Sequence, residues 1–257
     1  MLNFYSPSEI KKIALAGKIL AKILKILEKK SKSGISLKNL DKLAYQLIQA
    51  HKARPAFLGY QPDNALKPFG GSICASINDV VVHGLPSNYK LQNGDLLKID
   101  LGIEYQGYFA DAAITIGIGK TSKKAKQLIK ATATALKKAV KTAKAGKTLA
   151  DIGLVIERTS RDNGLKVIQS LTGHGIGKAL HEEPTIYNYY RPQDAKIKLE
   201  PGMVLAIEPM LAVGAGEIIQ RPDESWATAD GSLSAHFEHT IAITKRGPRV
   251  LTLYDKV

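Results

Sequence analysis

Residues 93–100 read Asn-Gly-Asp-Leu-Leu-Lys-Ile-Asp, and residues 201–208 read Pro-Gly-Met-Val-Leu-Ala-Ile-Glu. In each stretch a glycine turn opens an apolar strand, and a carboxylate stands six residues after the glycine. An uncompensated carboxylate in a buried strand is costly even after the protein relaxes around it. The two stretches therefore predict a repeated strand whose acidic residue serves a function.

Other features of the chain also occur twice, in the same order. The first copies are a helix from residue 6 to about 30, an N-cap at Ser36, the segment His83-Gly-Leu-Pro and a strand opening at Asp111. The second copies are a helix from residue 122 to about 145, an N-cap at Thr148, the segment His181-Glu-Glu-Pro and a strand opening at Glu238. We expect one catalytic domain over residues 1–257, with halves of about 1–120 and 121–257.

The strands in this repeat are predicted to be antiparallel. Residues 96–102 and 108–116 flank a turn at Gln106-Gly107, which is typical of a hairpin. Two halves that each combine helices with a hairpin predict an α+β fold with a pseudo-twofold axis. The paired carboxylates would then face one another across that axis.

Four acids, Asp100, Asp111, Glu208 and Glu238, share this repeated frame. Taken singly, each could be a turn or cap residue. If the four converge, two divalent cations would cancel their charges, and no lysine stands at a matching strand position. The repeat favours a cluster that binds two metal ions.

A histidine completes the predicted ligand set. His174 lies in Gly173-His-Gly-Ile-Gly177, a glycine-rich loop that can fold tightly, although a lone histidine is often only a packed or surface residue. Oxygen ligands with one imidazole suit Mn, Fe or Co and permit Zn. A structural zinc site would normally use cysteines.

Such a cluster predicts amide hydrolysis. Two metal ions bind a bridging water and lower its pKa, so that it is a hydroxide at neutral pH. A neighbouring carboxylate can take the proton and pass it to the leaving amine. His83 and His181 are placed to hydrogen-bond the substrate and the developing oxyanion.

Composition limits the classes that the chain fits. Its 257 residues contain one cysteine, Cys74, which excludes an intrachain disulfide and fits a reducing cytoplasm. No run of 18 apolar residues occurs, so we expect no membrane span and no membrane partner. The formal charge of +14 indicates either a generally lysine-rich protein or a polyanionic neighbour such as RNA.

Seven segments together resemble the short, type I bacterial methionine aminopeptidases of the pita-bread metallopeptidase family. They are Ser76-Ile-Asn-Asp-Val-Val-Val-His83-Gly, Lys98-Ile-Asp-Leu-Gly102, Phe109-Ala-Asp111, Gly173-His-Gly-Ile-Gly177, His181-Glu-Glu-Pro184, Ala206-Ile-Glu-Pro209 and Ser234-Ala-His-Phe-Glu-His-Thr240. The resemblance implies the pita-bread fold and the removal of the initiator methionine from nascent proteins with a small second residue. The reaction it implies is attack of a metal-bridging hydroxide on the first peptide bond.

The resemblance also implies a role for each matching residue. Asp100 resembles a terminal ligand of one metal ion, Asp111 and Glu238 the bridging carboxylates, and His174 and Glu208 ligands of the second ion, with Glu208 also the proton shuttle. His83 resembles the histidine that contacts the substrate, and His181 the one that stabilises the tetrahedral intermediate. Tyr60, Phe69, Cys74 and Trp226 fall near positions that line the methionine pocket, or serve ordinary packing.

Three features depart from the family pattern. Residues 61–68 form an additional loop between Tyr60 and Phe69. Leu180 stands where the family usually has an aromatic residue, and His236 stands where glutamine is expected. Residues 61–68 and Leu180 predict a pocket of different shape from that of the family. His236 predicts different surroundings for Glu238.

Three alternatives to this interpretation remain. An Xaa-Pro peptidase of the same fold usually carries a separate N-terminal domain, and a type II methionine aminopeptidase usually has a helical insertion in its second half. An inactive binding protein on the same fold, such as an RNA or ribosome factor, would lose metal ligands. We expect a monomer that acts on nascent polypeptide N-termini and contacts ribosomal RNA weakly through the lysine-rich stretches 22–32 and 120–147.

Overall fold

The computed structural model describes residues 2–62 and 65–253. Its helices are α1 (Pro7–Lys30), α2 (Leu37–Ala50), α3 (Lys123–Thr142) and α4 (Leu149–Asp162), with a 3-10 helix at Pro192–Lys196. The side chains of Ser6, Ser36, Ser122 and Thr148 each accept a hydrogen bond from the backbone N–H three residues later. All four helix starts therefore lie where a polar cap precedes an amphipathic run.

The strands form four antiparallel sheets. They are β1 (Arg54–Pro55), β2 (Cys74–Ile77), β3 (Val80–Val82), β4 (Leu96–Tyr105), β5 (Tyr108–Gly117), β6 (Lys166–Val167), β7 (Thr172–Gly175), β8 (Glu182–Tyr187), β9 (Val204–Ile207), β10 (Met210–Ala212), β11 (Ile218–Gln220), β12 (Trp226–Thr228), β13 (Ser234–His236), β14 (His239–Thr244) and β15 (Gly247–Val250). β4 pairs with β1, β2 and β5, while β15, β14, β9, β7 and β8 form a five-stranded sheet. Two three-stranded sheets, β13-β10-β6 and β11-β12-β3, complete the described strands. The predicted α+β class and the β4–β5 hairpin are confirmed.

Backbone contacts repeat between the two halves. Gly34 N–H donates to the carbonyl of Leu91 at 2.8 Å, and Gly146 N–H donates to the carbonyl of Leu199 at 2.9 Å. Single β-bridges also join Ser36 to Lys90 and Thr148 to Lys198. The start of the second helix in each half is thus tied in the same way to the segment that leads into the carboxylate-bearing strand.

Each half has its own apolar core. In the first half α1 and α2 cover one face of β4 and β5, and in the second half α3 and α4 pack against β9 and β14. The largest contributors in the first half include Leu20, Leu40 and Ile99, which are fully buried. Burying a side chain of this size stabilises the fold by about 1.5–3 kcal/mol relative to its exposure to water.

A backbone seam joins the halves between β5 and the segment from β13 to β14. Glu238 N–H donates to the carbonyl of Ala113 at 2.9 Å. On one side of this contact Asp111 N–H donates to Thr240 Oγ1 at 2.9 Å, and on the other Thr115 Oγ1 donates to the carbonyl of His236 at 2.6 Å. The seam therefore fixes two acids from different halves beside each other.

Two expectations about these strands are wrong. β4 does not end at Gly102, because it continues to Tyr105, and Asp111 does not open β5, which begins at Tyr108 as the hairpin predicted. Gly102 did not break the strand because it makes room for Phe57, whose ring would lie 2.7 Å from a Cβ atom there. The two acids consequently lie inside a long hairpin, whereas Glu208 and Glu238 flank strand ends as predicted.

No helix among residues 2–62 and 65–253 is long and apolar enough to cross a membrane. The assignment of residues 1–257 to one catalytic domain, with halves of about 1–120 and 121–257, stays a prediction.

Candidate metal centre

One cavity of about 750 Å³ brings the predicted site residues together. Its lining includes Tyr60, Phe69, Cys74, His83, Asp100, Asp111, His174, His181, Glu208, Trp226 and Glu238. This volume lies in the range of pockets that hold small-molecule ligands. Residues from both halves of the chain therefore converge on a single cleft.

The hairpin and the seam position the four acids. Asp100 on β4 and Asp111 on β5 are diagonal neighbours, because Asp100 lies opposite Ala113 and Asp111 lies opposite Gly102. Glu208 follows β9 and Glu238 precedes β14, and these two strands pair directly. The acids thus come from two pairs of neighbouring strands that meet at the seam.

Several buried oxygen atoms of these carboxylates have no hydrogen-bond partner in the part of the chain that the structure describes. Among the described residues, Asp100 Oδ1, Asp111 Oδ1 and Glu238 Oε1 are buried and accept no hydrogen bond. Burial raises the pKa of all four acids, and repulsion from neighbouring carboxylates raises it further for Asp100, Glu208 and Glu238. Clustered carboxylate oxygens that accept no hydrogen bond fit the coordination of divalent cations.

His174 faces the same cluster. Its Nδ1 lies 2.8 Å from the carbonyl of Gly175, to which it donates, so Nε2 keeps its lone pair. That Nε2 atom lies 3.5 Å from Glu208 Oε1. Ligand atoms of Asp111, His174 and Glu238 all lie within 4.8 Å of one another, close enough to bind one ion. Burial lowers the pKa of His174 to about 4, which keeps the imidazole neutral as a metal ligand requires.

The backbone around His174 differs from the predicted loop. His174 lies in strand β7, between β8 and β9. The flanking glycines permit close approach of these neighbours, because a Cβ atom at Gly173 would lie 2.4 Å from the carbonyl oxygen of Ala206 and one at Gly175 would lie 2.2 Å from that of Glu183. The glycines therefore reflect tight strand packing rather than a flexible loop.

Two further histidines line the cleft beside this cluster. Tyr60 Oη lies 2.7 Å from Nδ1 of His181, and the rings of His174 and His181 stack edge to face at 4.5 Å. Burial, with repulsion from His174 and His83, lowers the pKa of His181 to about 3. Burial also lowers the pKa of His83, which has a positive φ of 58°. Both rings are therefore neutral and reach the cleft, where they can hydrogen-bond a substrate.

Apolar and weakly polar side chains cover the adjoining wall. Phe69 contacts Phe57 edge to face at a ring distance of 6.4 Å, and Cys74 lies opposite Asp100 in the β2–β4 pairing. Burial, with repulsion from Asp100, raises the pKa of the Cys74 thiol well above its usual value, which favours the neutral thiol. Trp226 lines the cavity from β12. Such a wall fits an uncharged, flexible side chain.

Two of the three unusual positions line the cleft, and the third adjoins one of its acids. Pro62, Ala65, Lys67 and Pro68 of the additional loop line its mouth, whereas residues 63 and 64 of that loop lie outside the described residues. Leu180 is buried and lines the cavity beside His181. His236 is buried and lies 3.2 Å from Glu208 through Nε2, so it adjoins Glu208 rather than only Glu238.

Two residues that position the site were not predicted. Thr240 Oγ1 donates to the carbonyl of Asp111 at 2.7 Å while it accepts from the N–H of the same residue. Thr115 makes the equivalent pair of bonds with His236. A threonine two residues after Glu238 and another four residues after Asp111 were the only sequence signals, and neither spacing is distinctive.

Comparison with known proteins identifies a family and close relatives. The model of metallopeptidase family M24 matches residues 11–245. A protein named methionine aminopeptidase from Aquifex aeolicus is 43% identical over 255 residues, which cover 98% of each chain. The crystal structure of methionine aminopeptidase from Thermotoga maritima superposes with a TM-score of 0.93 at 38% identity, covering 98% of this chain and 99% of that one. The prolidase from Pyrococcus horikoshii superposes with a TM-score of 0.75 at 26% identity, and the match covers 65% of the prolidase.

Proposed function

The chain belongs to metallopeptidase family M24, and on that premise we propose that it is a metal-dependent methionine aminopeptidase that removes the N-terminal methionine from new proteins. The observation that carries the proposal is the convergence of four acids and His174 on one cleft with an apolar wall. Relatives named methionine aminopeptidase match the chain over nearly its whole length. The match to the prolidase covers only about two thirds of that longer protein.

We propose that the centre holds two divalent metal ions, with Co, Mn, Fe or Zn as candidates. Asp100 would bind one ion, His174 and Glu208 the other, and Asp111 and Glu238 would bridge them. When bound, such ions supply an activated water and polarise the scissile carbonyl. The orphaned oxygens of Asp100, Asp111 and Glu238 support this assignment.

The side chains around the ions would transfer the proton and hydrogen-bond the substrate. Glu208 accepts a proton from the attacking water and returns it to the leaving amine, a role that suits a carboxylate whose pKa is raised by burial. His83 hydrogen-bonds the substrate near the scissile amide. His181 donates to the developing oxyanion through Nε2, since its Nδ1 faces Tyr60.

The apolar wall would bind the methionine side chain. Tyr60, Phe69, Cys74 and Trp226 line the cavity beside the acids and offer contacts to an unbranched thioether. The acids lie in a cleft that Leu180 and His181 also line, so a second residue larger than serine would meet its walls. We therefore propose specificity for methionine followed by Ala, Gly or Ser.

A substrate assay distinguishes a methionine aminopeptidase from an Xaa-Pro peptidase of the same fold. A Met-Ala-Ser peptide and an Ala-Pro dipeptide are incubated with the protein and added Mn or Co, and the release of free amino acids is quantified. We expect methionine release from the first peptide and no cleavage of the second. Cleavage of Ala-Pro without release of methionine would assign the chain to the Xaa-Pro peptidases instead.

We further propose that the protein acts as a cytoplasmic monomer and touches the ribosome. The formal charge is +14, and every lysine between residues 120 and 147 is exposed. A basic surface raises the encounter rate with a phosphate-coated particle, and the contact should weaken steeply with salt. Co-sedimentation with ribosomes at low and raised salt tests the idea. Binding that is absent at low salt, or that survives charge reversal of the 22–32 and 120–147 lysines, would refute it.

A further inference from the structure

We propose that Tyr5 is a positioning residue for His181. Its phenol fixes the turn from Lys178 to Glu182, in which His181 lies, and this inference rests on the role proposed above for His181. Tyr5 is more than 170 residues away in sequence from this turn, and its buried ring lies directly against it.

Hydrogen bonds join the phenol to both ends of the turn. Tyr5 Oη donates to the carboxylate of Glu182 and lies 2.7 Å from each of its oxygens. The same Oη accepts from the N–H of Lys178 at 2.9 Å. The Glu182 carboxylate also accepts from the N–H groups of Lys178 and Ala179, each at 2.9 Å. The phenol therefore closes a network that holds the residue after His181 against the residues before it.

The phenol is fixed in place and remains protonated. Only 6% of Tyr5 is exposed. Burial raises the pKa of its hydroxyl, and the hydrogen bond to Glu182 raises it further. Hydrogen bonds to a charged group are among the stronger ones in proteins. The donor to Glu182 is therefore maintained across the pH range in which the protein would work.

The backbone of both partners is shaped for this contact. Tyr5 N–H donates to the carbonyl of Gly202 at 2.8 Å, which ties the start of the chain to the entrance of β9. A Cβ atom at Gly177 would lie 2.2 Å from Cζ of Tyr5, so the turn can approach the ring only because residue 177 is glycine. Lys178 Nζ also pairs with Glu9 Oε1 at 2.8 Å on the exposed side. The segment from residue 5 to residue 9 thus lies along the turn and contacts it through Tyr5 and Glu9.

The His181 ring contacts Tyr60 and His174, and its backbone lies in the turn that residues 5–9 hold. On one side Tyr60 hydrogen-bonds Nδ1, and on the other the backbone of the turn sets the position of the ring. Without the phenol, Glu182 would still accept from two amides, so the turn would persist with a looser position. Small displacements of a group that acts in the transition state reduce the rate strongly.

The test compares Tyr5→Phe in two backgrounds, with the Met-Ala-Ser peptide as substrate. In the otherwise unchanged protein we expect kcat to fall about tenfold while KM stays within about twofold, because the lost contact acts in the transition state. In a His181→Ala background the same replacement should leave kcat unchanged, since the residue that it positions is gone. Tyr45→Phe makes the same replacement at an exposed tyrosine of α2 and should match the unchanged protein. An equal loss in both backgrounds would overturn the proposal.

Nuclear magnetic resonance of the histidine rings supplies a readout that does not require activity. We expect Tyr5→Phe to shift the ring signals of His181, assigned by their loss in His181→Ala, and to leave those of His51 in place. This result is independent of whether the protein cleaves methionine, so a failure of the proposed function is recognised separately in the substrate assay. Unmoved His181 signals in Tyr5→Phe would contradict the inference. If that variant does not fold, Glu182→Gln is measured in the same two backgrounds, with the same expectation.

Discussion

The Nε2 atom of His236 lies 3.2 Å from the Oε2 atom of Glu208, and the imidazole is almost completely buried. Burial, with repulsion from His83 and Lys98, lowers the pKa of His236 to about 3, so the ring is neutral. The backbone of His236 is held on both its N–H and its carbonyl by Thr115 Oγ1. Neither ring nitrogen makes a hydrogen bond among the described residues, so His236 can orient the Glu208 carboxylate only by an interaction across this 3.2 Å distance.

We expect His236→Ala to weaken the binding of one metal ion about tenfold, because loss of a group that orients a ligand typically costs that much or more. His236→Gln restores an N–H of similar reach and should recover most of the affinity. The affinity of both variants for Mn is measured by calorimetric titration, after a chelator has removed bound metal and has itself been removed. Native affinity in His236→Ala would show that the contact with Glu208 has no role in metal binding.

Asp111→Asn should change the stability of the protein in opposite directions with and without metal. In protein freed of metal it removes a carboxylate that repels Asp100, Glu208 and Glu238, so the melting temperature should rise. In the metal-loaded protein it removes a bridging ligand, so the stabilisation by metal should shrink. Thermal unfolding with chelator and with saturating Mn tests the sign. A decrease of similar size in both conditions would argue against a shared metal-binding role for Asp111.

Much of this architecture could be predicted because it repeats. The four helix starts, the hairpin around Gln106-Gly107 and the carboxylates six residues after Gly94 and Gly202 were readable from local patterns. The extent of β4 and β5 was not, since Gly102 resembles a strand end until Phe57 is seen to pack on it. Local pattern does not reveal which distant side chain fills the space beside a glycine.

The contacts that position the site are the part that sequence did not reveal. Tyr5 reaches Glu182 and Thr240 reaches Asp111 across separations of 177 and 129 residues. Neither residue type is unusual at its place in the chain. Only the closing of the two halves along the seam brings these pairs together, so they become visible only in three dimensions.

Glu208→Gln should keep the fold and reduce turnover by several orders of magnitude. The change removes a charged ligand and the proposed proton shuttle together, while the side-chain size is almost unchanged. Turnover of Met-Ala-Ser is therefore measured beside the metal content of the same sample. Turnover near that of the unchanged protein would exclude Glu208 as the proton shuttle, and a loss fully explained by missing metal would assign it a ligand role only.

Removal of methionine is proposed to depend on metal bound by five side chains, those of Asp100, Asp111, His174, Glu208 and Glu238. The most direct measurement follows methionine release from Met-Ala-Ser while chelated protein is titrated with Mn, with bound metal determined by elemental analysis at each point. We expect no release from metal-free protein and a rise in rate that follows bound metal until the site is full. Full release from protein shown to contain no metal would contradict the account.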